Sequence, residues 1–228
     1  MCRQRLANGR SEERMFSQMS LEVFECLWRC FNAFERFWRF LDVFGSLWKS
    51  LDGANTWNQV EGFPNLMVAS IAVATNGDIY VGTGSQYDGA VGNGDSGFRG
   101  RGIWWSNDGG ETFTIVEGTD PGEFSGGAWS TNDALAKDPL ANNRVWFGSN
   151  NSFGTIQDGV KDDNSTSGGP PGGVSDIAIA HDGSYMLVAA TNARVYRSTN
   201  AEFSTFEIIS SGGSNTGNLP QGGIGRVR

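Results

Sequence analysis

At 228 residues and 24.6 kDa, the chain is long enough for one large domain or two small ones held together without disulfides. Its 33 glycines are about twice the ordinary usage, with charged residues at 18% and aromatic residues at 12%; this balance excludes a coiled coil or an acidic disordered chain and points to a turn-rich β protein. A formal net charge of -8 with a pI near 4.7 disfavours nucleic acid and anionic membrane surfaces as partners.

Two unlike pieces are joined. Residues 1–49 hold all three cysteines, ten of the 23 Phe and Trp residues and only two glycines, whereas residues 50–228 carry 9 basic against 19 acidic residues and 31 glycines. Cys2, Cys26 and Cys30 have no histidine beside them, so they are too few to ligate zinc. Arg3, Arg5, Arg10, Glu12, Glu13 and Arg14 interrupt the start, so no secretory signal is legible there, and no uncharged apolar run approaches the ~18 residues of a membrane span.

Within this first piece, Phe24–Arg29, Phe34–Arg39 and Phe44–Lys49 form a ten-residue repeat. Apolar positions 24, 27, 31, 34, 38, 41, 44 and 48 recur near the 3.5 spacing of an amphipathic stripe, which predicts a helix from about 12 to 43. Residues 1–44 are therefore expected to be a helical extension, packed on a sheet edge or foreign to the rest of the chain. A polar face of mixed sign argues against membrane contact.

The second piece repeats itself at a period near 46 residues, the mark of a stacked or radial array. Ser70–Gly77 aligns with Asp176–Gly183, and Asp133–Asp138 is a weaker third copy; each reads as a short strand closed by a turn. A second strand follows each, at Ile79–Thr83, Tyr185–Ala190 and Arg144–Gly148, on the alternation of β-branched and aromatic residues. A third strand ends in an aliphatic-aromatic-any-Ser signature at Leu47–Ser50, Ile103–Ser106 and Val195–Ser198.

A turn motif begins at each of those serines. Residues 106–113 fit S-x-D-x-G-x-T-[WF] throughout, with Ser106, Asp108, Gly110, Thr112 and Phe113 at the fixed positions. Residues 50–57 keep Ser50, Asp52, Gly53, Thr56 and Trp57 and depart only where Ala54 replaces the second glycine. The third copy is degenerate: Ser198 is followed by Asn200, and Thr205-Phe206 arrive one residue late. Asp and Ser side chains in such a turn satisfy backbone amides, Gly supplies positive φ, and the aromatic packs beneath, so these residues build the fold.

These turns resemble the Asp-boxes, or BNR repeats, of the β-propellers found in sialidases, sortilin-like receptors, xyloglucan-type glycosidases and photosystem assembly factors. The resemblance covers residues 45–228 and implies an all-β domain of four-stranded antiparallel blades, A to D, with the box between C and D. It divides the chain into strands C and D at 45–60, then blades at 67–117, 130–162 and 174–210, about three and a half in all. The middle blade lacks a box, and the polar stretch 157–173 takes its place. Closed propellers take roughly 4–8 blades, so this piece does not close a ring alone. Residues 223–228 read as the opening of another strand A, which predicts either a continuing array or self-association through blade edges.

Propeller ligands meet the B–C and D–A loops on one face. The B–C segment from Gly84 to Gly102 carries Tyr87, Asp88, Phe98, Arg99 and Arg101, and the D–A segment from Gly118 to Trp129 carries Asp120, Glu123, Phe124 and Trp129. Aromatic rings beside carboxylates and arginines suit a glycan or peptide, so Tyr87, Asp88, Phe98, Arg99, Arg101, Phe124 and Trp129 are the candidate binding residues. Resemblance to sialidases would require three arginines, a tyrosine nucleophile with a glutamate partner, and a segment that Phe98-Arg99-Gly100-Arg101 does not match. A xyloglucan-type glycosidase would need two carboxylates across a cleft, and nothing marks a specific pair among the 19; Asp88 and Glu123 are the candidates.

Asp162–Gly168 resembles the front of a calcium loop but lacks the closing glutamate, and His181 aligns with Thr75 in a turn. No metal or cofactor is expected. The sequence thus predicts a non-catalytic binding or scaffold module of an exported or cell-surface protein. A fragment of a glycoside hydrolase, or an intracellular or periplasmic assembly factor, are the alternatives.

Overall fold

The computed structural model describes residues 39–42, 47–64, 66–85, 98–122, 129–162, 169–170, 173–190, 194–200 and 202–210. The chain divides into two compact units, Met1–Phe37 and Trp38–Arg228, and every described residue belongs to the second.

The described strands form antiparallel meanders in chain order. Blade 1 comprises β1 (Arg39–Asp42), β2 (Leu47–Ser50) and β3 (Asn58–Gln59). Blade 2 comprises β4 (Val68–Val73), β5 (Ile79–Thr83), β6 (Ile103–Ser106) and β7 (Thr114–Ile115). Blade 3 comprises β8 (Ala134–Lys137), β9 (Arg144–Gly148), β10 (Phe153–Gln157) and β11 (Val160–Asp162). Blade 4 comprises β12 (Val174–Ile179), β13 (Met186–Ala190), β14 (Arg194–Ser198) and β15 (Glu207–Ser210). This is a partial β-propeller of three four-stranded blades and one three-stranded blade.

Two sequence expectations are corrected. Residues Arg39–Asp42 are a strand, where a helix over 12–43 was expected; the rest of that helix lies outside the described residues. β1 pairs residue for residue with β2, from Arg39↔Ser50 to Asp42↔Leu47, because the free edge of a strand-C segment offers a ladder of hydrogen bonds that an isolated helical stripe cannot match. The second correction concerns the middle blade, which closes through a tight hairpin. Gln157 pairs with Val160 across Asp158 and Gly159, whose φ values of 51° and 74° give the two positive angles of a type I′ turn.

Alternation along each strand B builds the core between blades. Ile79 and Val81 point toward blade 1 and join Leu47, Val60 and Phe63, whereas Tyr80 between them points toward blade 3 and joins Val145, Phe147 and Ile156. In β9 the same rule sends Val145 and Phe147 to blade 2 and Trp146 to blade 4. Burial on both faces explains why these strands read as near-continuous apolar runs: Ile79, Tyr80, Val81, Val145 and Phe147 are all 0% exposed. A β-bulge recurs at aligned places in β4 and β12, between Val68 and Ser70 and between Val174 and Asp176.

The repeated turns close the C–D hairpins. In blade 2, Asp108 Oδ1 accepts from the Ser106 hydroxyl at 2.7 Å and from the backbone N–H groups of Glu111 and Thr112 at 3.0 Å, while Ser106 Oγ accepts from Gly110 N–H at 2.8 Å. Blade 1 repeats the arrangement: Asp52 accepts from Ser50, Thr56 N–H and Thr56 Oγ1 at 2.9, 2.9 and 2.6 Å, and Ser50 Oγ accepts from Ala54 N–H at 2.8 Å. These donors hold the Asp52 carboxyl down at about 2, the Thr56 hydroxyl contributing most, and push the Asp108 carboxyl lower still. In blade 4, Asn200 Oδ1 accepts from Ser198 at 2.7 Å and from Thr205 N–H and Oγ1 at 3.2 Å.

Candidate ligand-binding face

Strand direction places the C–D turns at one end of the sheets and the B–C and D–A segments at the other. The second end is organised around Asn132, which precedes β8 and is 0% exposed. Its Nδ2 donates to the carbonyls of Thr83, Gly102 and Trp129 at 2.8, 3.2 and 2.9 Å, tying the end of β5, the start of β6 and the D–A segment to one side chain. Thr83 Oγ1 accepts from Arg101 N–H at 2.8 Å and donates to the Gly102 carbonyl at 2.7 Å, and Gly100 N–H donates to Ser130 O at 2.8 Å. Gly84 has φ 77°, and a Cβ there would stand 2.1 Å from Ser130 O and 2.3 Å from Gly100 N, so only glycine permits this approach.

On this locked base the returning arm of the B–C segment carries the exposed groups. Phe98 bridges Ser85 through the backbone and is 52% exposed, and Arg99 beside it is exposed as well. The Arg101 guanidinium donates to Asp120 Oδ2 at 2.8 Å, the two side chains being 40% and 35% exposed. That bond, seconded by Gly122 N–H, holds the Asp120 carboxyl below its usual range. Ser85 Oγ donates to Asp133 Oδ1 at 2.9 Å, so Asp120 and Asp133 are both engaged.

The candidate residues therefore part company. Phe98, Arg99 and Arg101 lie together on the loop face; Tyr87, Asp88, Glu123 and Phe124 lie outside the described residues. Trp129 is corrected. It is 8% exposed, its ring 5.1 Å from that of Phe147 with Lys161 Nζ 5.1 Å from its centroid, because a φ of 74° turns it into the boundary between blades 2 and 3. Sequence reasoning missed Asn132, and its one visible signal was a polar Thr-Asn-Asp triplet directly ahead of a strand A.

At the opposite end, a groove of about 510 Å³ between blades 3 and 4 is lined by Leu140, Arg144, Asp182, Gly183 and Glu202. Its arginine is held from below by the fully buried Asp138, which accepts from Arg144 Nε at 2.7 Å and from Trp146 Nε1 at 2.8 Å. Among the described residues, no group of three or more His, Cys, Asp or Glu side chains is placed to hold a metal ion.

No protein-family model and no curated protein sequence matches the chain. Solved structures do resemble it. An ancestral GH74 enzyme superposes with a TM-score of 0.52 at 20% identity over 80% of this chain, and the GH74 enzyme of Niastella koreensis with 0.50 at 19% over 75%. The chain spans 25% and 27% of the length of those two proteins, so the likeness is one of fold over about a quarter of each.

Proposed function

We propose that the chain is part of an Asp-box propeller and that it binds a glycan, without cleaving it, through the face carrying Phe98, Arg99 and the Arg101–Asp120 pair. The observation that carries this reading is Phe98: a phenyl ring 52% exposed on a base fixed by Asn132, next to charged side chains already paired in position. Such a ring covers the C–H face of a sugar, and a guanidinium–carboxylate pair answers its hydroxyls. The likeness to GH74 enzymes supports a saccharide over a peptide, and an exported or cell-surface setting belongs to the same reading.

Calorimetric titration of the full chain with xyloglucan oligosaccharides tests it. Binding that disappears in Phe98→Ala, with no reducing ends released, is the expected result; a flat titration for the unaltered chain defeats it. The likeness to GH74 enzymes also supports a second reading, part of a glycoside hydrolase, and this one predicts new reducing ends that vanish in Asp88→Asn or Glu123→Gln.

A further inference from the structure

Two of the blade boundaries inside the chain are closed by the third residue of the strand-C signature, which docks on the C–D turn of the following blade. Lys49 donates to the Gly110 carbonyl at 3.4 Å and to the Glu111 carboxylate, and Trp105 covers Gly159. In blade 3 the matching residue is Thr155, which pairs with Trp146 as Trp105 pairs with Tyr80. Thr155 is buried and its side chain is only two atoms long, so strand C of blade 3 sends no cation to the turn of blade 4. The groove of about 510 Å³ lies at this boundary.

The charges around the groove do not balance. Arg144 is matched by the buried Asp138, which accepts from its Nε at 2.7 Å. Asp182 and Glu202, both exposed, then remain, and neither makes an ion pair with a described residue. Hydrogen bonds from the Ser184 hydroxyl and N–H hold the Asp182 carboxyl below its usual range, which keeps it charged. Leu140 forms an apolar wall beside them. It is itself exposed, and its place is fixed by Gly183, where a Cβ would stand 2.3 Å from Leu140 Cδ2.

We propose that this groove docks a lysine side chain from a basic segment of a partner protein, the ammonium between Asp182 and Glu202 and the methylene stem along Leu140. A lysine has both parts that the lining asks for, an apolar stem and a charged head. The contact of Lys49 with Glu111 is the same recognition made within the chain. An anion is disfavoured, because Arg144 is already matched and the two remaining carboxylates repel it. The net charge of -8 steers a basic segment toward the chain. The groove lies at the opposite end of the sheets from Phe98, so a partner here leaves the candidate glycan face open.

Fluorescently labelled hexalysine, titrated with the full chain at low ionic strength and followed by anisotropy, tests this. Binding is expected, weakened about threefold by Glu202→Gln and about tenfold when Asp182→Asn is added; the asparagine keeps an acceptor for Ser184. Glu61→Gln makes the same change of charge at an exposed residue just after β3 and is expected to leave the affinity unaltered. Equal weakening by Glu61→Gln reveals only diffuse attraction to the net charge and overturns the proposal. The absence of hexalysine binding overturns it too, as does tighter binding of hexaglutamate, which would assign the groove to an anion on Arg144.

Discussion

The backbone N–H of Gly159 donates to the phenolic oxygen of Tyr80 at 3.2 Å, across the boundary between blades 3 and 2. The same glycine lies beneath the indole of Trp105, where a Cβ would stand 2.5 Å from the ring. Blade 3 has no box turn, and this two-residue hairpin performs the box's second task, that of docking on the preceding blade. Gly159→Ala should therefore cost about 2–4 kcal/mol, combining the strain of φ 74° with the overlap on Trp105. Tyr80→Phe removes only the hydrogen bond and should cost about 1 kcal/mol. Urea unfolding of the two variants checks the order, and a near-neutral Gly159→Ala would show that the turn does not bear on the boundary.

Burial pushes the Tyr80 hydroxyl up to about 12, with Asp78 and Asp158 adding to the shift and the Gly159 N–H opposing it. A raised folded value means that this stabilisation is complete below the ordinary value of 10 and is lost as pH rises through about 12. Stability measured against pH should therefore fall in that alkaline window, and Tyr80→Phe should flatten the fall.

Asp52 and Asp108 work in the other direction. Their folded values lie below the ordinary 3.8, so the contribution of the ionised turns is present above that pH and is lost as pH falls toward about 2 for Asp52, and lower for Asp108. Asp108→Asn should behave as blade 4 does naturally, since Asn200 Oδ1 still accepts from Ser198 and Thr205 with longer bonds to the threonine. Asp108→Ala leaves the amides of Glu111 and Thr112 without their acceptor and should lower the melting temperature more than Asp108→Asn. Equal melting temperatures for the two variants would count against the turn as a determinant of stability.

The first box contains its own built-in defect. Ala54 adopts φ 73° where Gly110 in blade 2 has φ 80°, and a Cβ in the left-handed region costs roughly 1–2 kcal/mol. Ala54→Gly should raise stability by about 0.5–1 kcal/mol, the remainder being offset by the greater freedom of glycine in the unfolded chain. Thermal unfolding reads this directly, and a loss of stability would mean that the alanine methyl is packed.

How far the sequence reveals this molecule can be followed residue by residue. β5 and β9 were legible to the residue, because their apolar runs meet turns carrying Gly77 and Asn143. The Asp158-Gly159 hairpin was also in plain view, yet it stands ahead of a long polar stretch that obscures a two-residue turn. β1 was missed because Phe and Trp at ten-residue spacing satisfy a helical stripe as well as a strand. At the candidate face, the sequence brought Phe98, Arg99 and Arg101 forward by type alone. It could not place Trp129, whose positive φ decides between core and surface, nor Asn132, whose carbonyl partners lie 49, 30 and 3 residues away.

That separation lets the base of the face be tested apart from its contact surface. Asn132→Ala removes one donor from each of three carbonyls, of which Gly102 O keeps the Thr83 N–H and hydroxyl and Trp129 O keeps the Gly102 N–H, and should cost about 1–3 kcal/mol. Asn132→Asp exchanges the donating amide for a carboxylate facing the same carbonyls and should be at least as damaging. Phe98→Ala, at a ring 52% exposed, should leave stability within about 0.5 kcal/mol while abolishing oligosaccharide binding. If Phe98→Ala unfolds the protein instead, the ring belongs to the core and another group must meet the ligand; if Asn132→Ala keeps both stability and binding, the B–C segment is held by its backbone alone.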